Sequence, residues 1–393
     1  MRLGSVLYVK RSVGEGLPSQ EALPTELPSD LATALISLSP QPAALLEVLG
    51  EPVLHRVVEV LRRGQVETIF LVVDEHFRNH QAIRSLTAQR VHILSGPAQV
   101  LPSMVETAVK RCADLGSQNV IVMDTSAYLE LDVNDFVQEH HKAGQKITVA
   151  YDEGGPLHTA MVNGADGDIA ATWMQRSFIY PQHTARYQHR AYVNRLQTAQ
   201  DLRKLAKDAL QHRCRIRPNG DELQPGVWVA NTAHIHPSAR LTGPAYLGPN
   251  SRLRSGVMVA DCSTIERNCI VERGTLVNDS TILSGTYVGV CLDLAHAVVH
   301  QNCLMDVQRN VGIEMADSLI GATSASRKNL VPGLWATVAS MSGDSLRGVR
   351  SKFRSLLPKS DPAAAVVPGR IAYSPAKSWS SLKSFSSTDS TGI

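Results

Sequence analysis

His296 and His300 are the side chains of this 393-residue chain whose type and spacing point most directly to chemistry. An imidazole titrates near neutrality, so a loop histidine can serve as general base on an acceptor hydroxyl or amine. Two histidines four residues apart can also share a metal ion, but no third ligand stands at a recognisable spacing. Asp293 and Asp306 lie close enough in sequence to support either role, and all four residues also read simply as solvated loop positions. Asp152-Glu153-Gly154-Gly155-Pro156 offers paired glycines; two acids beside them repel a phosphate, so the segment reads as a hairpin turn. The six cysteines contain no C-x-x-C pair, and Cys112 and Cys214 have no adjacent His to stabilise a thiolate. They read as reduced, buried, structural thiols of a cytoplasmic protein.

The elements that must position these residues fall into two classes. Every sixth residue from Val229 to Leu283 is aliphatic (among them Leu241, Leu253, Ile265 and Val277), with a small or slender residue two places before most of them. A period of six fits neither a helix nor a plain strand, so it predicts stacked coils that turn a corner every hexad. His296 and His300 follow where this register slips. Ahead of the repeat, strands and helices alternate. Pro52 to Arg63 presents one apolar helical face and stops at Gly64, and the strand Thr68 to Val73 follows. Val91 to Leu94, Asn119 to Met123 and Lys146 to Tyr151 read as further strands. Pro102 to Leu115, Asp132 to His141 and Thr198 to His212 read as helices. Such βαβ alternation predicts a mostly parallel sheet between helical layers.

Length agrees with several domains, since one core stops growing at roughly 250 to 300 residues. The pattern divides the chain into an irregular segment 1–40, an α/β domain 41–216, a Pro/Gly linker 217–226, a hexad solenoid 227–320 and a basic, Ser-rich tail 321–393. The tail carries ten Lys or Arg against three Asp, a charge of +7, and leaves the rest at −4 against a total of +3. Within it, residues 344–357 read as an amphipathic helix with Arg347, Arg350, Lys352 and Arg354 around an apolar face. That helix suits either an anionic lipid surface or the open end of the solenoid. No nucleic-acid motif accompanies the charge, no apolar stretch approaches the length of a membrane span, and no leader pattern begins the chain. The expected location is the cytoplasm, at the inner face of the membrane only if the tail helix rests on lipid rather than on the end of the solenoid.

The order of parts resembles the sugar-nucleotide pyrophosphorylase-like nucleotidyltransferases, over roughly residues 40 to 310. Pro42-Ala43-Ala44-Leu45-Leu46-Glu47-Val48-Leu49-Gly50-Glu51-Pro52-Val53-Leu54 is similar to that family's P-K-x-L-L-x-V-x-G-x-P-x-L segment. Val120 to Met123 resembles the strand that delivers a metal-binding acid, and Asp132 to His141 the helix after it, with Phe136 inward and His140 near its end. The resemblance implies a Rossmann-like, mostly parallel α/β sheet domain followed by a left-handed parallel β-helix. Active members join a nucleoside triphosphate to a sugar 1-phosphate and release pyrophosphate, using a Gly-rich loop, a lysine and acids that hold Mg²⁺.

This chain departs from that signature at each point. Leu31 to Ser39 stand where the Gly-rich loop is expected, Ala43 replaces the lysine, Ser126 takes the place of the first acid with Asp124 two residues away, and Asn194 takes that of the second. Losing one preorganised donor typically costs about 3 to 4 kcal/mol of transition-state stabilisation. The expectation is therefore a family member that binds a nucleotide sugar, a sugar phosphate or a partner with little or no turnover, Mg²⁺ being called for only if the chain is a divergent enzyme, and Asp124, Ser126 and Asn194 being its candidate binding residues. The alternatives are a divergent Mg²⁺-dependent enzyme recruiting Lys10, His55 or Arg84, an acyltransferase using His296 or His300, and an oligomeric scaffold built on the solenoid.

Overall fold

Residues 2–9, 42–175, 184–316 and 319–323 are described by the structure, a computed structural model. In chain order its front part comprises β1 (Arg2–Val9), β2 (Glu47–Val48), β3 (Glu51–Pro52), α1 (Val53–Arg63), β4 (Thr68–Asp74), α2 (Gln81–Thr87), β5 (Val91–Gly96), α3 (Leu101–Asp114) and β6 (Ser117–Asp124). Then follow β7 (Tyr128–Leu129), α4 (Val133–Ala143), β8 (Ile147–Asp152), β9 (Gly155–Asn163), α5 (Gly167–Gln175), β10 (Ala185–Gln188), β11 (Val193–Asn194) and α6 (Ala199–Leu210).

Seven of these strands form one sheet in the order β10-β8-β9-β6-β1-β4-β5, parallel throughout except for β9. Its middle strand, β1, comes from the segment that the sequence pattern leaves irregular. Gly4 and Ser5 interrupt the apolar run there, yet Leu3, Val6, Leu7 and Val9 are all buried. Gly4 is needed for close approach: a Cβ at that position would lie 2.9 Å from Cys112 of α3. Helices α3 and α5 cover one face through Val105, Ala108, Val109, Cys112, Ala170 and Trp173. The other face carries the apolar sides of α1, α2, α4 and α6.

Local signals set the helix ends. Asp132 accepts a hydrogen bond from the Asp135 amide to start α4, and Gly144 ends it in the left-handed region. Thr198 and Asp201 form a reciprocal capping box at α6.

Beyond α6, short strands stack in three sheets. Val227 pairs with Ala245 and Ala245 with Ser263, so each circuit takes eighteen residues, three hexads. The register then shortens by one, because Ile265 pairs with Ile282, Val271 with Val288 and Val277 with Leu294. The shortening falls at Asp279, a left-handed turn residue. Ile282 therefore continues the stack below Ile265. Leu283, the last position of the sequence repeat, packs instead with the core of the front domain.

Residues 221–224, inside the expected linker, form a strand antiparallel to Val227–Val229. At the far end, Ala297–His300, Cys303–Asp306 and Val311–Glu314 pair antiparallel and close the first sheet. The 344–357 helix lies outside the described residues.

The front domain and the solenoid share one core. Tyr246, Cys262, Leu283, Val298 and Met305 pack with residues of the α1, α4 and α6 layer.

Candidate functional site

The chain leaves β1 for β4 and β5 on one side and later crosses to β6 on the other, so the direction of winding reverses at the β1/β6 boundary. In open α/β sheets ligands bind outside the carboxyl ends of strands at such a switch point. Two acids flank it. Val9 stands opposite Val73 and Tyr8 opposite Asp124, so β4 delivers Asp74 to one side and β6 delivers Asp124 to the other. Both carboxylates are mostly buried, and each caps its own turn: Asp124 Oδ1 accepts from the Ser126 amide at 3.1 Å, and Asp74 Oδ1 from the His76 amide at 3.0 Å. Asp74 escaped the sequence reading because it sits one residue past an apolar strand, where an acid reads as an ordinary turn former.

Asn194 is committed to architecture. Its Nδ2 donates to the Asp201 carbonyl at 2.8 Å, and its Oδ1 accepts from the Leu196 amide at 3.0 Å, which shapes the approach to α6. Mg²⁺ requires octahedral oxygen ligands at about 2.0 to 2.1 Å, of which the protein usually supplies one or two carboxylates. The described donors do not fit that set well. Asn194 is neutral with both ends used, Asp74 and Asp124 lie two strand spacings apart and two residues out of register, about 12 Å between their backbones, and each has one oxygen on a turn amide. His140, on the helix after β6, is a satisfied core residue between Thr148 Oγ1 at 2.7 Å and Asn163 Oδ1 at 3.2 Å, and burial lowers its pKa.

A concavity of about 1010 Å³ opens between the front domain and the solenoid. The β2–β3 hairpin, the first turn of α1 and the start of α2 form one wall; solenoid corners at Arg267, Ser284 and Gln301 form the other. His55 and Arg84 both line it, whereas Lys10 lies outside the described residues. His55 Nδ1 lies 3.2 Å from Glu51 Oε2, and its Nε2 lies 2.7 Å from the Ala82 carbonyl and 3.1 Å from Ser85 Oγ. This Glu–His–Ser order imitates a nucleophile-activating triad, but a nitrogen 2.7 Å from a carbonyl oxygen must carry the proton and donate it there. It cannot then take the proton of Ser85, and the trio is structural.

The seam beside this cleft is polar and is joined by long-range hydrogen bonds. Leu49 and Gly50, the left-handed tip of the β2–β3 hairpin, donate their amides to the two oxygens of Glu266 at 2.8 and 2.9 Å. Glu266 is fully buried, and burial together with the charge of Glu47 pushes its pKa up to about 7. Glu47 in turn pairs with Arg267 at 2.8 Å and accepts from Ser284 at 2.6 Å. Further along, Asp279 receives Arg203 at 2.6 Å, Lys207 at 2.9 Å and His296 at 2.7 Å.

His296 and His300 therefore have different surroundings. His296 belongs to the Asp279 interlock, whereas His300 is buried and lines the cleft. Asp306 accepts the amides of Gln308 and Arg309 in its own turn. Asp152 accepts the Gly154 amide at 2.8 Å and pairs with Arg195, forming the expected β8–β9 hairpin. All six cysteines are free; burial raises Cys112 and Cys269 to about 12 and Cys214 to about 11, but Cys291 is exposed rather than buried. Among the described residues no helix is long and apolar enough to cross a membrane.

No family model matches the chain. Over 74 residues, 19% of its length, it is 27% identical to the Bifunctional protein GlmU of Pelobacter propionicus. The chain spans about a sixth of that relative, 16% of its length. The chain is thus a distant, partial relative of GlmU. A mostly parallel α/β sheet followed by short strands in parallel stacks is compatible with that kinship.

Proposed function

We propose that this protein is a nucleotidyltransferase-like binder of a nucleotide sugar, with a left-handed solenoid as its second part and little or no pyrophosphorylase turnover. The supporting observation is the carboxyl edge of the sheet. The switch point is present, but Asn194 is locked into the α6 approach and Asp124 is bound to its own turn. Such an edge does not gather the acids that a metal-assisted displacement needs.

The test pairs binding with turnover. A panel of nucleotide sugars should raise the melting temperature, and one good ligand at a hundred times its Kd adds about 2.7 kcal/mol. With Mg²⁺, nucleoside triphosphates and sugar 1-phosphates, pyrophosphate release should stay at background. Release at ordinary enzymatic rates, on the order of 1 to 1000 per second, overturns the reading.

One observation favours a divergent enzyme instead: Asp74 and Asp124 stand on either side of the end of β1. On that reading Asp74→Asn and Asp124→Asn each abolish a measurable Mg²⁺-dependent activity.

A further inference from the structure

Strand β10 ends the seven-stranded sheet, and among the described residues nothing pairs with its outer side. The register says which groups that side presents. His189, just past the strand, donates its amide to the Tyr151 carbonyl of β8 at 2.7 Å, and alternate residues of a strand turn their backbone groups the same way. Tyr187 therefore faces β8 as well, and the N–H and C=O groups of Arg186 and Gln188 face outward. Unpaired groups of this kind are a template for the addition of another strand.

A groove of about 620 Å³ opens beside β10, with the start of α4 as its wall. Tyr187 holds that wall in place: its ring packs on Phe136 with 4.7 Å between centroids, and its hydroxyl donates to Asp135 Oδ2 at 2.8 Å. Asp132, Asp135 and Glu139 line the groove and, by their spacing, share one side of the helix. Asp132 gives one oxygen to the Asp135 amide, Asp135 one to Tyr187 and Glu139 one to Lys142; among the described residues the second oxygen of each has no hydrogen bond. His189 adds a fourth acceptor. It is only 4% exposed, and burial lowers its pKa and keeps the ring neutral. Its proton goes to the Tyr192 backbone, and Nε2, without a partner among the described residues, is left as a bare acceptor in a residue of the groove lining. The two arginines of the lining stand apart from these groups. Arg186 lies over the Tyr151 ring at 5.0 Å, on the face of the sheet opposite Tyr187, and Arg190 follows in the loop. The acceptors thus call for a ligand that brings donors and positive charge to the α4 side. A second copy does not meet that demand: pairing β10 antiparallel with its counterpart sets the α4 acids of both copies on one face, where like charges repel.

We propose that the outer side of β10 binds an extended, basic segment of a partner protein, added to the sheet as a further strand whose alternate lysines or arginines meet Asp132, Asp135 and Glu139 of the α4 wall. The site lies three strands from the β1/β6 boundary and stands independently of the nucleotide-sugar reading.

Calorimetry on the full chain tests it with short end-blocked peptides. The first alternates lysine and threonine, the second alternates glutamate and threonine, and the third has the composition of the first with its lysines in one block. The first should bind, the second should not, and the third should bind about tenfold more weakly, because a strand turns consecutive side chains to opposite faces. Gln188→Pro removes an N–H that faces outward, a change an edge strand tolerates, and should weaken the first peptide about tenfold or more while circular dichroism and melting temperature hold. Glu139→Gln leaves the backbone untouched and should weaken it about threefold to tenfold. The proposal is overturned if the lysine peptide does not bind at millimolar concentration, or if the glutamate or the blocked peptide binds equally well. Unchanged affinity in Glu139→Gln, or in a folded Gln188→Pro, also sinks it. A dimer seen by light scattering and dispersed by Gln188→Pro would give the place to a second copy and overturn it too.

Discussion

The carboxyl edge of the sheet and the seam with the solenoid both hold buried polar groups, but they use them in opposite ways. At the edge Asp74, Asp124 and Asn194 bond within a few residues of themselves. At the seam Glu266 bonds residues more than two hundred positions away, as does Ser284, and Asp279 gathers partners from α6 and from the next coil. Local bonds shape turns. Long-range bonds fix one body on another, so the seam is where substitutions should cost most.

The largest loss should follow Glu266→Ala. It leaves the Leu49 and Gly50 amides buried without acceptors, at about 1 to 3 kcal/mol each, for a total on the order of 4 kcal/mol. Urea denaturation should show it; a loss below about 1 kcal/mol would mean that water or another group replaces the carboxylate and that the seam is not tightly built. Asp279→Ala should come next, at about 3 kcal/mol, because it strands the nearly buried guanidinium of Arg203. Lys207→Ala, which removes an exposed partner of the same acid, should cost under about 1 kcal/mol. Equal losses in these two variants would erase the distinction between buried and exposed partners.

The seam should also respond to pH. Burial holds the Glu266 proton in the folded protein up to about pH 7, and Glu47 is raised in the same direction, whereas an unfolded glutamate releases its proton near 4.5. The folded state thus binds more protons between those values, and stability declines as pH rises from about 4.5 to about 7, by roughly 2 to 3 kcal/mol. Asp279 is shifted the other way, so its contribution disappears only in stronger acid, as pH falls through a value below 3.8. Denaturation at pH 5 and pH 8 should show the decline in wild type and a flatter profile in Glu266→Gln. A profile that rises across this interval would reverse the assignment.

The same contrast explains what could be read from the amino acids alone. Helix ends at Asp132, Gly144 and Thr198 are written in residues adjacent to the bonds they make, and the hexad period is local repetition. Strand β1 was hidden because Gly4 and Ser5 break its apolar run, and their reason, the approach of Cys112, lies over a hundred residues away. Leu283 keeps the hexad spacing but faces the front domain, because the coil is shortened at Asp279 and no period reports a one-residue deletion between two aliphatic positions. Glu266 follows an inward Ile265 and reads as a solvated corner until the hairpin tip is placed over it. The sheet-edge residues Asp124 and Asn194 were visible by position, but their hydrogen bonds, which set what they can do, were not.

The smallest structural effect belongs at the edge, where it is the most informative about function. Asp124→Asn keeps an oxygen that can accept the Ser126 amide, so stability should change by less than about 0.5 kcal/mol. If the edge binds a nucleotide sugar through turn amides alone, removing a negative charge beside the diphosphate leaves affinity the same or raises it, with or without Mg²⁺. If instead the carboxylate helps to hold a divalent ion that carries the phosphates, affinity in Mg²⁺ falls tenfold or more and the difference vanishes in EDTA. Calorimetry on the two proteins under both conditions separates these outcomes, because a stability change that small cannot account for a tenfold loss of binding.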